Sequence, residues 1–256
     1  MNNVQSYYDT HSSEYVEKWD LSEDGIRKPA NYYRLEIINS IIKLASIKPG
    51  DRVVEIGCGT GLVLKELLKI TKPVYGTDIS REMLERAKSY IGDEVSNVIL
   101  TKNDILELNL PKNYFDKIIS MEVLRYVEDM PKALINVKRI MKNNSTLVFT
   151  VTNVFSFSFF PLKYYVRKLF HMIDTKTELS QYFVTECRIK KEIKKSGLEI
   201  ISFKKLNLLS FNPVVKSIVH TRTGAKNIVR LDAILSKIPI IKNCFDTFIL
   251  AVKLKN

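Results

Sequence analysis

The stretch Val53-Val54-Glu55-Ile56-Gly57-Cys58-Gly59-Thr60-Gly61 joins a short run of β-branched residues to three glycines at alternate positions. A segment of helical periodicity, Leu62 to Leu68, follows at once, which predicts a strand, a sharp turn and a helix. Glycines let the backbone turn tightly and let a ligand approach closely, and the helix N-terminus offers unpaired N–H groups. The stretch therefore predicts a binding turn for a nucleotide-type ligand.

Further β-rich segments follow the glycine turn and alternate with segments of helical periodicity. This alternation is typical of βαβ units, in which parallel strands form one sheet with helices on both faces. We predict strands at about 52–56, 74–77, 98–100, 115–120, 146–151, 198–206 and 245–254, with the helix after the first strand ending near residue 70 and later helices at about 131–141 and 185–196.

Polar residues occur where these predicted strands end. Glu55 and the glycines follow the first strand, Asp78 the second, Asp104 the third, and Met121-Glu122 the fourth. Ligands of parallel sheets bind outside the carboxyl ends of the strands, so these residues indicate one site at one edge.

Two common nucleotide motifs do not fit the glycine turn. A dinucleotide site requires G-x-G-x-x-G, but Leu62 stands where its third glycine would be. The P-loop pattern G-x-x-x-x-G-K-[ST] does not occur in the chain.

The chain instead resembles class I S-adenosylmethionine-dependent methyltransferases over about residues 50–151. The family's signature reads E-I-G-C-G-T-G here, and its acid after the second strand matches Asp78. Asn103-Asp104-Ile105, Phe115-Asp116 and Met121-Glu122-Val123-Leu124 match the segments around the third and fourth strands. The resemblance implies a Rossmann-like, mostly parallel seven-stranded sheet of order 3-2-1-4-5-7-6, with the seventh strand antiparallel and helices on both faces.

The resemblance also implies S-adenosyl-L-methionine as the cofactor. Asp78 would hold both ribose hydroxyls, which suits a carboxylate because it accepts two hydrogen bonds. Asp104 would meet the adenine amino group, although an aspartate here also suits a turn cap. We expect no metal site, because the three cysteines are far apart. The expected cofactor-binding residues are Glu55, Gly57, Cys58, Gly59, Gly61, Asp78, Ile79, Asn103, Asp104, Ile105, Met121 and Glu122.

The catalytic group stays unknown at this level. Many small-molecule members of the family read L-x-H after the fourth strand, whereas this chain has Leu124-Arg125-Tyr126. A guanidinium is no general base, so Arg125 would either bind an anionic substrate group or form a structural ion pair with Glu122 or Glu128. The candidates for catalysis are His171, Tyr8 and Glu122, and His11 and His220 are further histidines in the segments around the core.

We predict one methyltransferase domain over residues 1–256. The aromatic side chains Tyr8, Tyr15 and Trp19 have helical spacing and would either pack on the domain or cover the ligand. The parts of the domain are an N-terminal flap at 1–30, a cofactor-binding core at 50–151, and lid or substrate insertions at 154–184 and 207–244.

The net charge of +12 comes from 40 basic and 28 acidic residues. It fits either a solvated lysine-rich surface or an anionic partner. We expect a small-molecule acceptor: a sugar or glycan, a quinone or phenol precursor, or a lipid head group. A nucleic-acid methyltransferase is the alternative enzyme, but we find no N/D-P-P-[YF] motif and no catalytic Pro-Cys pair. A cofactor-binding module without activity is the third reading, and the oligomeric state stays open.

The chain has neither a run of about 18 apolar residues nor a signal-peptide pattern, so we expect a cytoplasmic protein. Residues 155–170 combine aromatic residues with Lys163, Arg167 and Lys168. This segment is either a lid helix whose aromatic residues pack inward, or a peripheral contact with an anionic membrane.

Overall fold

The computed structural model describes residues 3–18, 21, 29–157, 160–169, 179–206, 209, 214, 219, 221–238 and 241–255. Its strands are β1 (Val53–Ile56), β2 (Val74–Asp78), β3 (Val98–Lys102), β4 (Phe115–Ser120), β5 (Met141–Thr152), β6 (Leu198–Leu206) and β7 (Thr247–Leu254). Its helices are α1 (Asn3–Lys18), α2 (Pro29–Ala45), α3 (Leu62–Leu67), α4 (Arg81–Ile91), α5 (Met130–Ile140), α6 (Phe160–Leu169), α7 (Glu186–Lys195) and α8 (Arg222–Leu235).

The seven strands form one sheet in the order β3-β2-β1-β4-β5-β7-β6. Neighbouring strands from β3 to β5 are parallel, and β7 runs antiparallel to both β5 and β6. The predicted fold class, strand order and antiparallel seventh strand are therefore confirmed. Parallel pairing places the carboxyl ends of β1, β2, β3 and β4 at a common edge.

Four predicted boundaries were wrong, one of them the end of β3, which lies at Lys102 rather than at residue 100. β5 begins at Met141 rather than near 146, because Lys142 to Ser145 continue the strand past a register shift against β4. Asn144 in that stretch has a φ of 67°, a left-handed conformation that asparagine tolerates and that is common in turns. The sequence of the stretch therefore resembles a turn. α3 ends at Leu67 instead of near 70, and β7 begins at Thr247 instead of 245.

Both faces of the sheet are buried, as expected where helices cover a parallel sheet. Alternate residues along β4 and β5 therefore enter opposite cores: Ile118 and Phe149 lie in one, and Ile119 and Val148 in the other. The second core also takes side chains of α2 and α3, which pack close to the glycine turn. The turn thus rests on a rigid base.

The N-terminal helix α1 packs against α4, next to the carboxyl edge. It is kinked at His11, whose φ and ψ of −105° and 15° lie outside the helical range. Within the described ranges, no helix is both long enough and apolar enough to cross a bilayer.

Candidate functional site

A cavity of about 850 Å³ opens at the carboxyl edge of the sheet. Its volume is near the upper end of the range for small-molecule sites, roughly 300–1,000 Å³, so it has room for two ligands side by side. Of the predicted cofactor-binding residues only Gly61 is not in its lining; Gly61 lies against α4, where a Cβ would be 3.3 Å from Ala87. The cavity wall includes Glu55, Gly57, Cys58, Gly59, Asp78, Ile79, Asn103, Asp104, Ile105, Met121 and Glu122.

The glycine turn is attached to the end of β2 by its backbone. The amides of Gly57 and Cys58 both donate to the carbonyl oxygen of Thr77, at 2.7 and 2.8 Å. Gly57 has a φ of +73°, and a Cβ there would lie 2.1 Å from Cγ2 of Val123. Only glycine fits this position, because a side chain meets both an unfavourable backbone conformation and a direct clash.

Asp78 ends β2 directly opposite the turn. Its Oδ2 accepts a hydrogen bond from the Gly59 amide at 2.8 Å, and its Oδ1 accepts one from the Ser80 amide at 3.0 Å. Burial raises the pKa of Asp78 to about 6, although these backbone donors act in the opposite direction. Ser80 caps α4 by accepting from the Met83 amide, so the loop that holds the carboxylate is fixed.

Glu55 lies at the end of β1 and is 2 % exposed. Its Oε2 has no hydrogen-bond partner among the described residues. Burial, and secondarily the charge of Asp78, raises the pKa of Glu55 well above its ordinary value. A buried carboxyl oxygen that faces a cavity without a partner indicates a polar ligand, because an unpaired buried acceptor is costly.

In the segment after β3, polar side chains form hydrogen bonds with residues of the same segment. The Asn103 side chain accepts from the Asn109 amide at 2.8 Å and donates to Thr101. Asp104 Oδ1 accepts from the Leu106 amide at 2.9 Å, which caps the 3-10 turn at Ile105–Glu107. The turn-cap interpretation of Asp104 is therefore confirmed, and its adenine contact stays a prediction.

Glu122 and Arg125 form an ion pair at the end of β4. Glu122 Oε2 lies 2.8 Å from Arg125 Nη1, and Arg125 Nη2 also donates to the side-chain oxygen of Gln181. Burial alone would favour a neutral Glu122, but the guanidinium groups of Arg125 and Arg34 hold its pKa below the ordinary value. The predicted ion pair of Arg125 with Glu122 is therefore present, and because Arg125 also lines the cavity, its binding of an anionic substrate group stays a prediction. Glu122 has a φ of 62°, a strained conformation of the kind that clusters at functional sites.

Tyrosines form the other side of the cavity. The hydroxyls of Tyr8 and Tyr15 lie 3.3 Å apart, and the Tyr8 ring packs edge-on against Tyr126 at 5.9 Å. Burial raises the pKa of the Tyr8 hydroxyl well above its ordinary value, and the nearby Tyr126 and Tyr15 add to the shift. Because Tyr7, Tyr8 and Tyr15 of α1 line the cavity, this helix covers the site as well as packing on the domain.

The histidine candidates receive little support from the described residues. His11 stacks on Tyr7 at 4.3 Å, and its Nδ1 bonds the Tyr7 carbonyl at 2.9 Å, away from the cavity lining. His171, His220 and Trp19 lie outside the described residues.

The sequence reasoning missed several residues of the cavity wall. Arg34 comes from α2, Leu179 and Gln181 from the segment before α7, and Asp246 and Thr247 from the start of β7. No motif marks these positions, because only the packing of distant elements brings them to the edge. Within the described ranges, no group of three or more His, Cys, Asp or Glu side chains is placed to hold a metal ion.

A family model described as "Methyltransferase domain" matches residues 54–149. An uncharacterized methyltransferase of Geobacillus sp. (strain WCH70) is 30% identical over 143 residues, which cover 54% of this chain and 64% of the relative. A ubiquinone biosynthesis O-methyltransferase of Coxiella burnetii is 28% identical over 138 residues, covering 52% of this chain and 59% of the relative. The chain therefore spans about three fifths of the length of these curated relatives.

The fold is similar to that of a solved magnesium protoporphyrin IX methyltransferase from Synechocystis PCC 6803 with bound SAH. The two share 16% sequence identity with a TM-score of 0.64, over 98% of each chain. The matched region contains β2 to β4, the glycine turn and most of β1 and β5. Residues 54–149 are therefore similar to methyltransferase domains, and this matched core contains the cavity edge described above.

Proposed function

We propose that this chain is a class I methyltransferase that binds S-adenosyl-L-methionine at the carboxyl edge and transfers its methyl group to a small-molecule acceptor. Asp78 is the observation that carries the proposal. Its two carboxylate oxygens are each fixed by a backbone amide, from Gly59 and Ser80, and the side chain lines the cavity. A carboxylate held in this way is preorganised to accept two neighbouring hydroxyls, as a ribose presents them.

The remaining cofactor contacts follow the order of the strands. Gly57 and Gly59 let the ligand approach the backbone closely, and Asp104 with Ile105 would border the adenine. Glu55, with its unpartnered oxygen, and Met121 with Glu122 would surround the methionine end. Acidic groups suit that end, because it carries both an amine and a sulfonium.

The acceptor would occupy the tyrosine side of the cavity. Tyr8, Tyr15 and Tyr126 offer hydroxyls, while Val4 and Leu179 offer apolar surface on the same side. This mixture suits a molecule with a flat or apolar body and a few polar substituents. Of the predicted acceptor classes, a quinone or phenol precursor fits this lining best, and the similarity to a ubiquinone biosynthesis O-methyltransferase supports that choice.

The bound cofactor supplies an activated methyl group, so the residues of the chain mainly align the acceptor and exclude water. Arg125 is committed to Glu122 and Gln181, and the Tyr8 hydroxyl resists ionisation. The described cavity lining therefore favours an acceptor oxygen that ionises easily, such as an acidic phenol, over one that needs a strong base.

Calorimetry with S-adenosylmethionine tests the cofactor half of the proposal. We expect Asp78→Asn to weaken binding by roughly tenfold or more, because the amide cannot replace a doubly accepting carboxylate. Asp116→Asn is the matched control, since Asp116 pairs with Lys142 and does not line the cavity. No binding to the unaltered protein would refute the proposal.

A methyl-transfer assay tests the acceptor half. Radiolabelled cofactor would be incubated with separate panels of phenols, sugars, lipid head groups and RNA. Transfer to phenols supports the proposed class, and transfer to RNA alone would favour the nucleic-acid alternative. Cofactor binding with no transfer to any panel would favour a module without activity.

A further inference from the structure

Among the described residues from 155 to 169, six large apolar side chains are exposed. They lie in α6 and in the segment just before it. The outer face of α6, as we use the term, consists of Leu162, Tyr165, Val166 and Leu169, which are 58%, 44%, 43% and 73% exposed. Phe155 and Phe157, before the helix, are 66% and 41% exposed. The expectation that the aromatic residues of this segment pack inward was therefore wrong for Phe155 and Phe157, whereas the partly exposed ring of Tyr165 also packs against Phe183, at 5.7 Å.

The outer face is a continuous stripe. Its four residues follow the spacing i, i+3, i+4, i+7, which places them on one side of a helix. Soluble proteins rarely leave such a stripe uncovered, and exposed apolar patches mark sites that bind a partner or a membrane. The stripe therefore needs a partner.

The opposite side of α6 is anchored to the cavity wall. Tyr164 is buried and its ring packs against Phe183 at 5.6 Å. Its hydroxyl accepts a hydrogen bond from the backbone amide of Gln181 at 3.0 Å. Gln181 lines the cavity and binds Arg125, so the outer face lies one helix thickness from the site.

The positive charge of the segment indicates an anionic partner. α6 contains Lys163, Arg167 and Lys168 and no acidic residue, and the sequence has no Asp or Glu from 154 to 173. Lys168 is exposed. An apolar stripe in a helix whose charges are all positive is typical of helices that lie in the interface of an anionic membrane.

We propose that the outer face of α6 docks on an anionic lipid surface, with the apolar stripe in the acyl boundary and Lys168 at the phosphate groups. Docking in this way covers the stripe and brings the cavity wall at Gln181 close to the membrane. The proposal concerns a surface outside the cofactor site and does not depend on the methyl-transfer assignment.

Vesicle flotation tests the proposal with the full chain. Vesicles of phosphatidylcholine alone would be compared with vesicles that also contain phosphatidylglycerol, at low and at high salt. We expect the protein to float with the anionic vesicles only, and high salt to release it. No flotation with anionic vesicles would overturn the proposal.

Variants show whether the outer face of α6 carries the binding. We expect Leu162→Glu with Leu169→Glu to reduce binding by roughly tenfold or more, since both apolar contacts are lost and charge repulsion is added. Ile135→Glu is the matched control. Ile135 is 55% exposed on α5, away from the outer face of α6, so this variant should bind the vesicles as the unaltered protein does. Lys168→Glu is a second variant that leaves the stripe intact, and we expect it also to weaken binding.

Two results would overturn the assignment to this surface. One is vesicle binding that neither the double variant nor Lys168→Glu reduces. The other is a dimer, seen by light scattering, that the double variant dissociates in the absence of lipid, because the stripe would then be an interface between two copies. Calorimetry with S-adenosylmethionine on the same variants should stay unchanged, so failure here is distinct from failure of the proposed function.

Discussion

Glu122 and Arg125 form an ion pair of 2.8 Å in the cavity wall. The Arg125 guanidinium also donates a hydrogen bond to the side-chain oxygen of Gln181, in the segment before α7. The side chains of the pair are only 25% and 15% exposed. The pair therefore connects the matched core to Gln181, which lies 56 residues after Arg125 in the sequence.

The first prediction concerns this connection. Arg125→Ala should lower the free energy of unfolding by about 2–4 kcal/mol, because it leaves a largely buried carboxylate without its partner. Urea denaturation measures the change. Lys88→Ala is the control, since it removes an exposed ion pair with Glu85 and should cost less than about 1 kcal/mol. Equal losses from the two variants would show that the Glu122 pair is not a structural element.

The second prediction concerns the glycine turn. Gly57→Ala should lower stability by roughly 3 kcal/mol or more, because its Cβ clashes with Val123 and its φ is positive. Gly59→Ala should cost only about 1–2 kcal/mol, since a Cβ there has no heavy atom within 4 Å.

Thermal unfolding of the double variants checks the cause. Val123→Ala should recover part of the loss caused by Gly57→Ala, because it removes the clashing methyl group. It should act additively with Gly59→Ala. Additive effects in both pairs would contradict the clash.

The third prediction is a pH dependence of cofactor affinity. Burial raises the pKa of Asp78 to about 6, and only the ionised carboxylate accepts two ribose hydroxyls. Affinity should therefore be constant above this pH and fall as pH decreases through it, by roughly tenfold for each unit below. Calorimetry across about pH 5 to 8 measures the change.

The raised pKa of Asp78 has the opposite effect on the stability of the protein without ligand. A raised pKa in the folded state means that Asp78 contributes stability at low pH, and that this contribution is lost as pH rises through about 6.

In the binding experiment, Asp116→Asn is the control and should leave the curve of cofactor affinity against pH unchanged. Affinity that stays flat from pH 5 to 7, to within about twofold, would refute the role of Asp78.

The fourth prediction concerns Tyr8. Tyr8→Phe should leave cofactor affinity unchanged and lower kcat/KM for the acceptor by about 3–10-fold, because one hydrogen bond in the acceptor half is lost. The pH profile of kcat should keep its shape, since the raised pKa keeps this hydroxyl neutral at working pH. Tyr75→Phe is the control, because it breaks a similar hydroxyl pair, with Tyr114 at 2.9 Å, outside the cavity lining. A lost limb in the Tyr8→Phe pH profile would instead identify Tyr8 as an acid or base.

The sequence was most informative where local chemistry and sheet position coincide. The glycine turn and Asp78 stand at the ends of strands that the alternating pattern marks, and Gly57 and Gly59 have positive φ values that favour glycine, so this edge was predictable. Arg34, Gln181 and Asp246 reach the cavity only through the packing of distant elements. The start of β5 was missed because Asn143-Asn144-Ser145 has the composition of a turn, and the irregular pairing with β4 accommodates it.

The carbonyl oxygen of Thr77 accepts from both Gly57 and Cys58, so the proposed donor half of the cavity is shaped by backbone contacts between the ends of β1 and β2. The acceptor half depends largely on side chains of α1 and of the segment near Gln181. Under the proposed function we expect specificity to be modular: a chimera that exchanges α1 between relatives should change the acceptor while it keeps an intact donor pocket.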